Sequence, residues 1–166
     1  MEGDLAALRA LRDADDELKQ HFGDGADPCA WQGVSAQDGR VTTLKLEGCK
    51  SLLALPEAIG RLAKLTTLNL KGCEGLRALP EAISGLAALT TLNLEGCRSL
   101  LALPEAISGL AALTTLSLTW CNSLAALPEA IGGLKALTTL NLVDGEDLKE
   151  LPEAICGTAV WTALTD

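Results

Sequence analysis

Aromatic residues are nearly absent from this chain. Its 166 residues include no tyrosine, one phenylalanine (Phe22) and three tryptophans, yet 48% of the residues are hydrophobic. An interior with so few rings has to be aliphatic, so we expect a leucine core in which alanine and cysteine fill the gaps. A core organised by aromatic stacking is excluded.

Several other features are missing, and each bears on function. No apolar run approaches the roughly 20 residues that span a bilayer, and a net charge of -9 disfavours nucleic acid or an anionic membrane as partner. The single histidine, His21, has no nucleophile nearby in sequence, and the glycines recur with a fixed period instead of forming a phosphate loop. We therefore predict no membrane partner, no nucleic acid, no metal, no cofactor and no enzymatic activity. The charged first residues lack a signal-peptide core, which predicts a cytoplasmic protein.

A 24-residue period dominates what is present. Five copies follow one another without an insertion, starting at Val41, Leu65, Leu89, Leu113 and Leu137. Positions four and six of each copy are leucines that alternate with polar residues, which is typical of a short strand with one buried face. Copies this similar can bury their apolar faces only against one another, so the pattern predicts a solenoid.

Proline occupies position sixteen of every copy and glutamate follows it each time. Proline fixes φ and removes a donor, and an acidic residue is favoured in a first helical turn. The pair therefore predicts a short 3₁₀ or α segment after Pro56, Pro80, Pro104, Pro128 and Pro152. The glutamates are expected to form a solvated stripe on that side.

The pattern L-x-x-L-x-L-x-x-C-x-x-L-x-x-L-P-x-x-I-x-x-L over residues 41–155 resembles the leucine-rich repeat, in the form of plant intracellular immune receptors and similar algal or protist proteins. The resemblance implies an α/β fold: a right-handed curved solenoid with parallel β-strands on the concave side and short 3₁₀/α segments on the convex side. It also implies a non-catalytic module that binds a protein or peptide through the concave face, in signalling or immunity.

Both ends of the chain suit caps on such a solenoid. Residues 1–40 are expected to form an N-terminal cap with a helix over about 4–22, for which Asp4 is a plausible N-cap. Residues 41–160 hold the five repeats. Residues 161–166 read as a truncated sixth strand, with Trp161 at its first position covering the last leucine layer.

The segment after the cap helix resembles the N-terminal cap of plant-type leucine-rich repeat proteins, C-x-W-x-G-V-x-C. Cys29, Trp31, Gly33 and Val34 match this pattern, and Ala36 replaces the second cysteine. The disulfide of the family's cap therefore cannot form, which suits a reducing compartment.

Four cysteines recur at position nine. They are expected to stack about 4.8 Å apart, the distance between neighbouring strands. A buried structural ladder is the favoured interpretation; a metal ladder or a chain of redox thiols is the alternative, although a linear stack offers no tetrahedral site. The ladder comprises Cys49, Cys73, Cys97 and Cys121, while Cys29 and Cys156 are single thiols.

The candidate binding residues lie between the inward leucines. Trp120 stands where three other copies have glycine, and an exposed tryptophan is a frequent anchor in protein interfaces. The alternative is that Trp120 simply folds over its neighbours. The predicted concave site contains Lys45, Asn69, Lys71, Asn93, Glu95, Thr115, Ser117, Thr119, Trp120, Asn141, Val143 and Asp144.

Two other functions remain open at this stage. The copies are so alike that a scaffold without a selected ligand, from recent duplication or consensus design, is the rival to a binding module. The paired threonine columns form a hydroxyl array of the kind found on ice-binding solenoids, but the curvature and the interspersed Asn and Lys argue against that use. We expect a monomer, with a weak homodimer through the concave face as the alternative.

Overall fold

A computed structural model of the chain describes residues 2–142, 152–153 and the backbone of 161–162. One sheet runs through it in sequence order. Strand β1 pairs antiparallel with β2, and every later pairing is parallel. The strands are β1 (Val34–Gln37), β2 (Arg40–Lys45), β3 (Thr67–Asn69), β4 (Thr91–Asn93), β5 (Thr115–Ser117), β6 (Thr139–Asn141) and β7 (Trp161–Thr162).

The register between β2 and β6 keeps the sequence period. The leucines at position four pair in succession, one from each copy, namely Leu44, Leu68, Leu92, Leu116 and Leu140. Within the described residues, their side chains are buried together with the leucines of positions six, twelve and fifteen and the isoleucines of position nineteen. The core is therefore one continuous aliphatic column, as the composition predicts.

Short 3₁₀ helices form the opposite side of each coil. Each starts directly after a proline whose φ lies between -62° and -72°, so the ring presets the entry into the helix. Their spans are Glu57–Arg61, Glu81–Gly85, Glu105–Gly109 and Glu129–Gly133. Successive helices touch closely: a Cβ on Gly85 would collide with the Gly60 carbonyl oxygen, so position 85 needs glycine.

The N-terminal cap has two helices where the sequence predicted one over about 4–22. Helix α1 spans Glu2–Ala14 and α2 spans Asp16–Phe22. Asp15 separates them because its extended backbone ends the first helix, and its carboxylate accepts hydrogen bonds from the N–H groups of Glu17 and Leu18. The prediction of Asp4 as an N-cap is wrong. That residue lies inside α1, buried, and its carboxylate binds the first repeat instead.

Strand β1 was missed by the sequence analysis. It joins β2 through Asp38 and Gly39, both of which have positive φ, 51° and 71°. An Asp-Gly pair in this conformation is a preferred two-residue hairpin turn. The dipeptide was therefore a readable signal for the hairpin.

Trp31 ties the cap together. Its ring is buried, its Nε1 donates to the Gly25 carbonyl at 2.7 Å, and its centroid lies 5.1 Å from that of Phe22. The guanidinium of Arg12 lies over the ring at 4.9 Å. These contacts place the Trp31 ring between the two cap helices and the loop that follows them, and its structural role stays a prediction.

At the other end, β7 is the predicted sixth strand, but its register differs from the prediction. Trp161 pairs with Leu140, so it occupies the fourth position of a repeat instead of the first. The reason is spacing, because Trp161 follows Leu140 by fewer residues than Leu140 follows Leu116. Side-chain packing of Trp161 lies outside the described residues.

Candidate binding surface

The outward side of strands β2 to β6 presents two columns of polar side chains. Alternation fixes them, because the leucine between the columns points into the core and its neighbours must point away. The first column is Thr43, Thr67, Thr91, Thr115 and Thr139; the second is Lys45, Asn69, Asn93, Ser117 and Asn141. We call these two columns and the strand-end residues that follow them the concave surface.

Side chains at the strand ends fix one another. The Asn69 Oδ1 accepts from the N–H of Lys71 at 3.0 Å, and its Nδ2 donates to Glu47 Oε1 at 2.6 Å. The ammonium of Lys71 lies 2.9 Å from a carboxylate oxygen of Glu95. Three predicted site residues, Asn69, Lys71 and Glu95, are thus joined in one polar network at the strand ends. Glu47, which was not predicted, completes it.

Trp120 lies at the edge of this surface with 47% of its area exposed. Its φ is 57°, in the left-handed region, while the equivalent Gly48, Gly72 and Gly96 have φ of 74°. The turn after each strand therefore requires this conformation, and glycine adopts it without a steric cost. A tryptophan there costs about 1–2 kcal/mol of backbone strain.

Two shallow clefts adjoin the Trp120 ring. One, of about 160 Å³, is lined by Trp120, Arg98, Lys71 and Glu95 together with Gly72, Glu74 and Gly96. The other, of about 260 Å³, lies between Trp120, Arg98 and Asn122. Arg98 was not predicted as a site residue, although position ten varies among the copies and so carried a signal. We call these two spaces the Trp120 clefts.

Not every predicted residue can be placed. Val143 and Asp144 lie outside the described residues, so their relation to Trp120 stays a prediction. Lys45 lies on β2, the first of the five repeat strands, and is not among the residues that line the Trp120 clefts. The described part of the predicted site is therefore a row of strand positions from β2 to β6, beside which the Trp120 clefts lie.

The threonines of position two have a structural task. The hydroxyl of Thr66 donates to the Thr42 carbonyl at 2.9 Å. Three further threonines make the same bond to the preceding repeat at 3.0–3.1 Å, namely Thr90, Thr114 and Thr138. Half of the hydroxyl array seen in the sequence is thus engaged in holding coils together.

The four ladder cysteines are buried. The thiols of Cys73, Cys97 and Cys121 each donate to the carbonyl of a leucine 27 residues earlier, at 3.0–3.3 Å. Burial raises the pKa of Cys97 and of Cys121 to about 12, which keeps both protonated. Among the described residues, no group of three or more His, Cys, Asp or Glu side chains is arranged to hold a metal ion.

Comparison with known proteins places this geometry in a family. No protein-family model matches the sequence. Among solved structures, the leucine-rich repeat domain of the type III effector XopL is 37% identical, with a TM-score of 0.55, over 61% of this chain and 35% of that one. The parallel sheet and the short 3₁₀ helices match the leucine-rich repeat solenoids found among such structures. The chain is a leucine-rich repeat protein.

Other solved structures share the fold of this leucine-rich repeat protein. A plant ice-binding protein is 22% identical, with a TM-score of 0.65, over 86% of this chain and 48% of that one. A chain of the BIR3–SERK2 complex from Arabidopsis thaliana is 22% identical, with a TM-score of 0.59, over 87% of each. The present chain therefore spans about a third of the XopL domain and half of the ice-binding protein. Among the described residues, no helix has the length and apolar character that crossing a membrane requires.

Proposed function

We propose that this leucine-rich repeat protein is a non-catalytic module that binds a protein or peptide through the concave surface, anchored at the Trp120 clefts. The similarity to a chain of the BIR3–SERK2 complex, a complex between proteins, supports an interaction role. A place in signalling or immunity and a monomeric state form part of the same proposal.

The observation that carries the proposal is the conformation of Trp120. Three repeats have glycine at this left-handed position, whereas the fourth has a bulky side chain that is strained there. Strained residues cluster at functional sites, which favours a role of Trp120 in binding. The half-exposed ring offers a large, rigid apolar contact, the kind that dominates interface energetics.

The residues beside the ring suggest which chemistry the partner presents. Arg98 lines both clefts, and a guanidinium pairs with a carboxylate in a bidentate manner. The ion pair between Lys71 and Glu95 leaves Arg98 as the cation that an acidic group can reach from the Trp120 side. We therefore expect a partner segment with an apolar side chain on Trp120 and a carboxylate on Arg98.

Size limits the affinity of this surface. Five strands spaced about 4.8 Å apart, each offering about five residues, give a patch of roughly 400 Å². A standard interface buries about 800 Å² on each partner. A partner must therefore also contact the strand-end loops or the caps, which is where the Trp120 clefts lie.

A cytoplasmic location completes the proposal. Cys29, Cys49, Cys73, Cys97 and Cys121 are all free in the described part of the chain. Five unpaired thiols suit a reducing compartment.

Affinity capture from cell extract, with the parent and the Trp120→Gly variant as parallel baits, tests the proposal. Glycine restores the residue that three other repeats have, so we expect the fold to be kept while the anchor is removed. A captured protein is then purified and titrated: we expect Trp120→Gly and Arg98→Ala each to weaken binding at least tenfold, and Lys45→Ala, outside the clefts, to have little effect. Equal affinity for the parent and Trp120→Gly would refute the anchor.

The near identity of the strand columns favours one second candidate, a scaffold without a selected ligand. Thr67, Thr91 and Thr115 are the same residue, and Asn69 and Asn93 are too, although the fold leaves these outward positions free to vary. This candidate predicts that neither bait retains a protein and that Arg98→Ala changes no measured interaction.

A further inference from the structure

The residue just before each repeat differs between the two ends of the solenoid. Arg40 and Lys64 precede the first and second copies, whereas Ala88, Ala112 and Ala136 precede the next three. The fold accepts alanine at this position, so packing does not require the two cations. Both of them lie beside the β1–β2 hairpin, which points to a local use.

A cavity of about 420 Å³ lies beside this hairpin. The hairpin contributes Gln37, Asp38 and Arg40 to its lining, and the segment before β3 contributes Lys64 and Thr66. Small-molecule sites in proteins have volumes of about 300–1,000 Å³. We call this space the hairpin cavity; among the described residues, none that lines it also lines the Trp120 clefts.

The guanidinium of Arg40 is held in one orientation. Its Nε lies 3.0 Å from Oδ2 of Asp4, a buried carboxylate that is itself held by the backbone N–H of Val41 at 2.9 Å. This bond uses only Nε. Within the described part of the chain the two Nη groups have no hydrogen-bond partner, so a ligand can use their N–H donors.

Lys64 brings a second cation to the hairpin cavity. Its ammonium forms no ion pair and no hydrogen bond with any described residue, and its side chain is exposed. The coils that carry the two cations are held together, because the Thr66 hydroxyl donates to the Thr42 carbonyl at 2.9 Å. Two neighbouring cations repel each other, and a bound anionic group removes that repulsion.

Asp38 limits which anion suits the cavity. It lies in the hairpin turn, lines the same space, and forms no ion pair with either cation in the described structure. Asp4 already balances the charge of Arg40, so the charges of Lys64 and Asp38 are left and cancel. A ligand that carries one negative and one positive group matches this arrangement, whereas a dianion does not.

We propose that the hairpin cavity binds a small zwitterion of the α-amino-acid type, independently of the concave surface. The ligand's carboxylate accepts hydrogen bonds from the Nη groups of Arg40 and from the Lys64 ammonium. Its own ammonium donates to the Asp38 carboxylate. Arginine suits the first task because its planar fork matches a carboxylate.

Titration of the full chain with L-alanine, followed by amide NMR shifts, tests the proposal. We expect saturable shifts at Thr42, Lys64 and Thr66 and none at Thr115. Propionate lacks the ammonium of L-alanine and ethylamine lacks its carboxylate, so each should bind about fivefold more weakly. Inorganic phosphate should also bind more weakly than L-alanine. No saturable shift with L-alanine, or tighter binding of propionate or phosphate, would overturn the proposal.

Lys64→Ala is the matched variant, because three other copies have alanine at this position. It should weaken L-alanine binding about fivefold. Lys45→Ala, the same change of charge outside the cavity, should alter it less than about twofold. Equal effects of the two variants would contradict the assignment.

Asp38→Asn separates a zwitterion site from a simple anion site. It should weaken the binding of L-alanine and strengthen that of propionate, because it removes the partner of the ammonium and a repelling charge. Stronger binding of both ligands would refute the role of Asp38. The dispersion of the amide spectrum shows whether each variant is folded, and if Lys64→Ala unfolds, the Asp38→Asn comparison decides.

Discussion

Asp4 in helix α1 accepts a hydrogen bond of 2.9 Å from the backbone N–H of Val41, the first residue of the first repeat. The same oxygen, Oδ2, accepts from Arg40 Nε at 3.0 Å. This one carboxylate therefore satisfies a backbone donor and a cation at the junction between cap and solenoid. The side chain is 2% exposed, so water cannot replace it.

Removing this carboxylate should destabilise the whole chain. For Asp4→Ala we expect a loss of about 2–4 kcal/mol in the free energy of unfolding, because a buried N–H and a guanidinium lose their acceptor. Urea denaturation followed by circular dichroism gives the value. Asp13→Asn, which breaks the exposed pair with Arg12, is the control and should change the free energy of unfolding far less, because water screens that pair. Comparable losses for the two variants would contradict this account of the junction.

Most substitutions of a large apolar residue by glycine lower the free energy of unfolding, but Trp120→Gly should not. Relief of the left-handed strain offsets the lost contacts of a ring that is half exposed. We expect the free energy of unfolding to stay equal or to rise by up to about 1 kcal/mol. Thermal melting measures it, with Gly96→Trp as the reverse change, which should destabilise. A loss above about 2 kcal/mol, the size that truncation of a core side chain causes, would make Trp120 a structural residue.

Two adjacent threonines should behave differently. The Thr114 hydroxyl donates to the Thr90 carbonyl at 3.0 Å, while Thr115 lies in the outward column. Thr114→Val should therefore cost about 1 kcal/mol in the free energy of unfolding, and Thr115→Val close to none. Equal costs, measured in parallel urea titrations, would show that the bonds between coils do not stabilise the fold.

The buried thiols predict a stability that falls in alkali. Burial raises the pKa of Cys97 to about 12, above the ordinary value near 9, so the folded state retains a proton that the unfolded state releases. This contribution is complete below pH 9 and is lost as pH rises from 9 to 12. Each such thiol lowers the free energy of unfolding by about 1.4 kcal/mol per pH unit in that window.

Urea titrations at pH 8, 9 and 10 measure this slope. Cys97→Ala should reduce the dependence of the free energy of unfolding on pH by the contribution of one thiol. At pH 8 the substitution itself should lower the free energy of unfolding by about 1–2 kcal/mol. A slope that is unchanged by the substitution would mean that Cys97 ionises in the folded state as readily as in the unfolded one.

The repeat architecture was predictable because every coil has leucine at the same strand positions and buries it against the next coil. Position four is a leucine in all five copies, so a single strand pattern implied the register observed between β2 and β6. The left-handed turn at Trp120 was also readable in retrospect, since three glycines at one position mark a required positive φ.

The parts that escaped prediction depend on docking between segments. Asp4 has the character of an N-cap in sequence, but its carboxylate is used by Val41, the first residue of a distant segment. His21 of α2 lies with its Nε2 2.9 Å from the carbonyl oxygen of Lys45, which belongs to a segment far from it in sequence. Arg98 joins Trp120 through a strand-end turn. No local pattern encodes such meetings.

The bonds between coils have a further consequence for the length of the molecule. In the second to fifth repeats the position-two threonine hydroxyls reach back 24 residues, and the thiols of Cys73, Cys97 and Cys121 reach back 27, so each of these bonds ends in the preceding coil. A duplicated segment 89–112 would find the same acceptors that the original finds. Each inserted repeat should therefore lengthen the solenoid by one strand spacing, about 4.8 Å, without changing the contacts at its two ends.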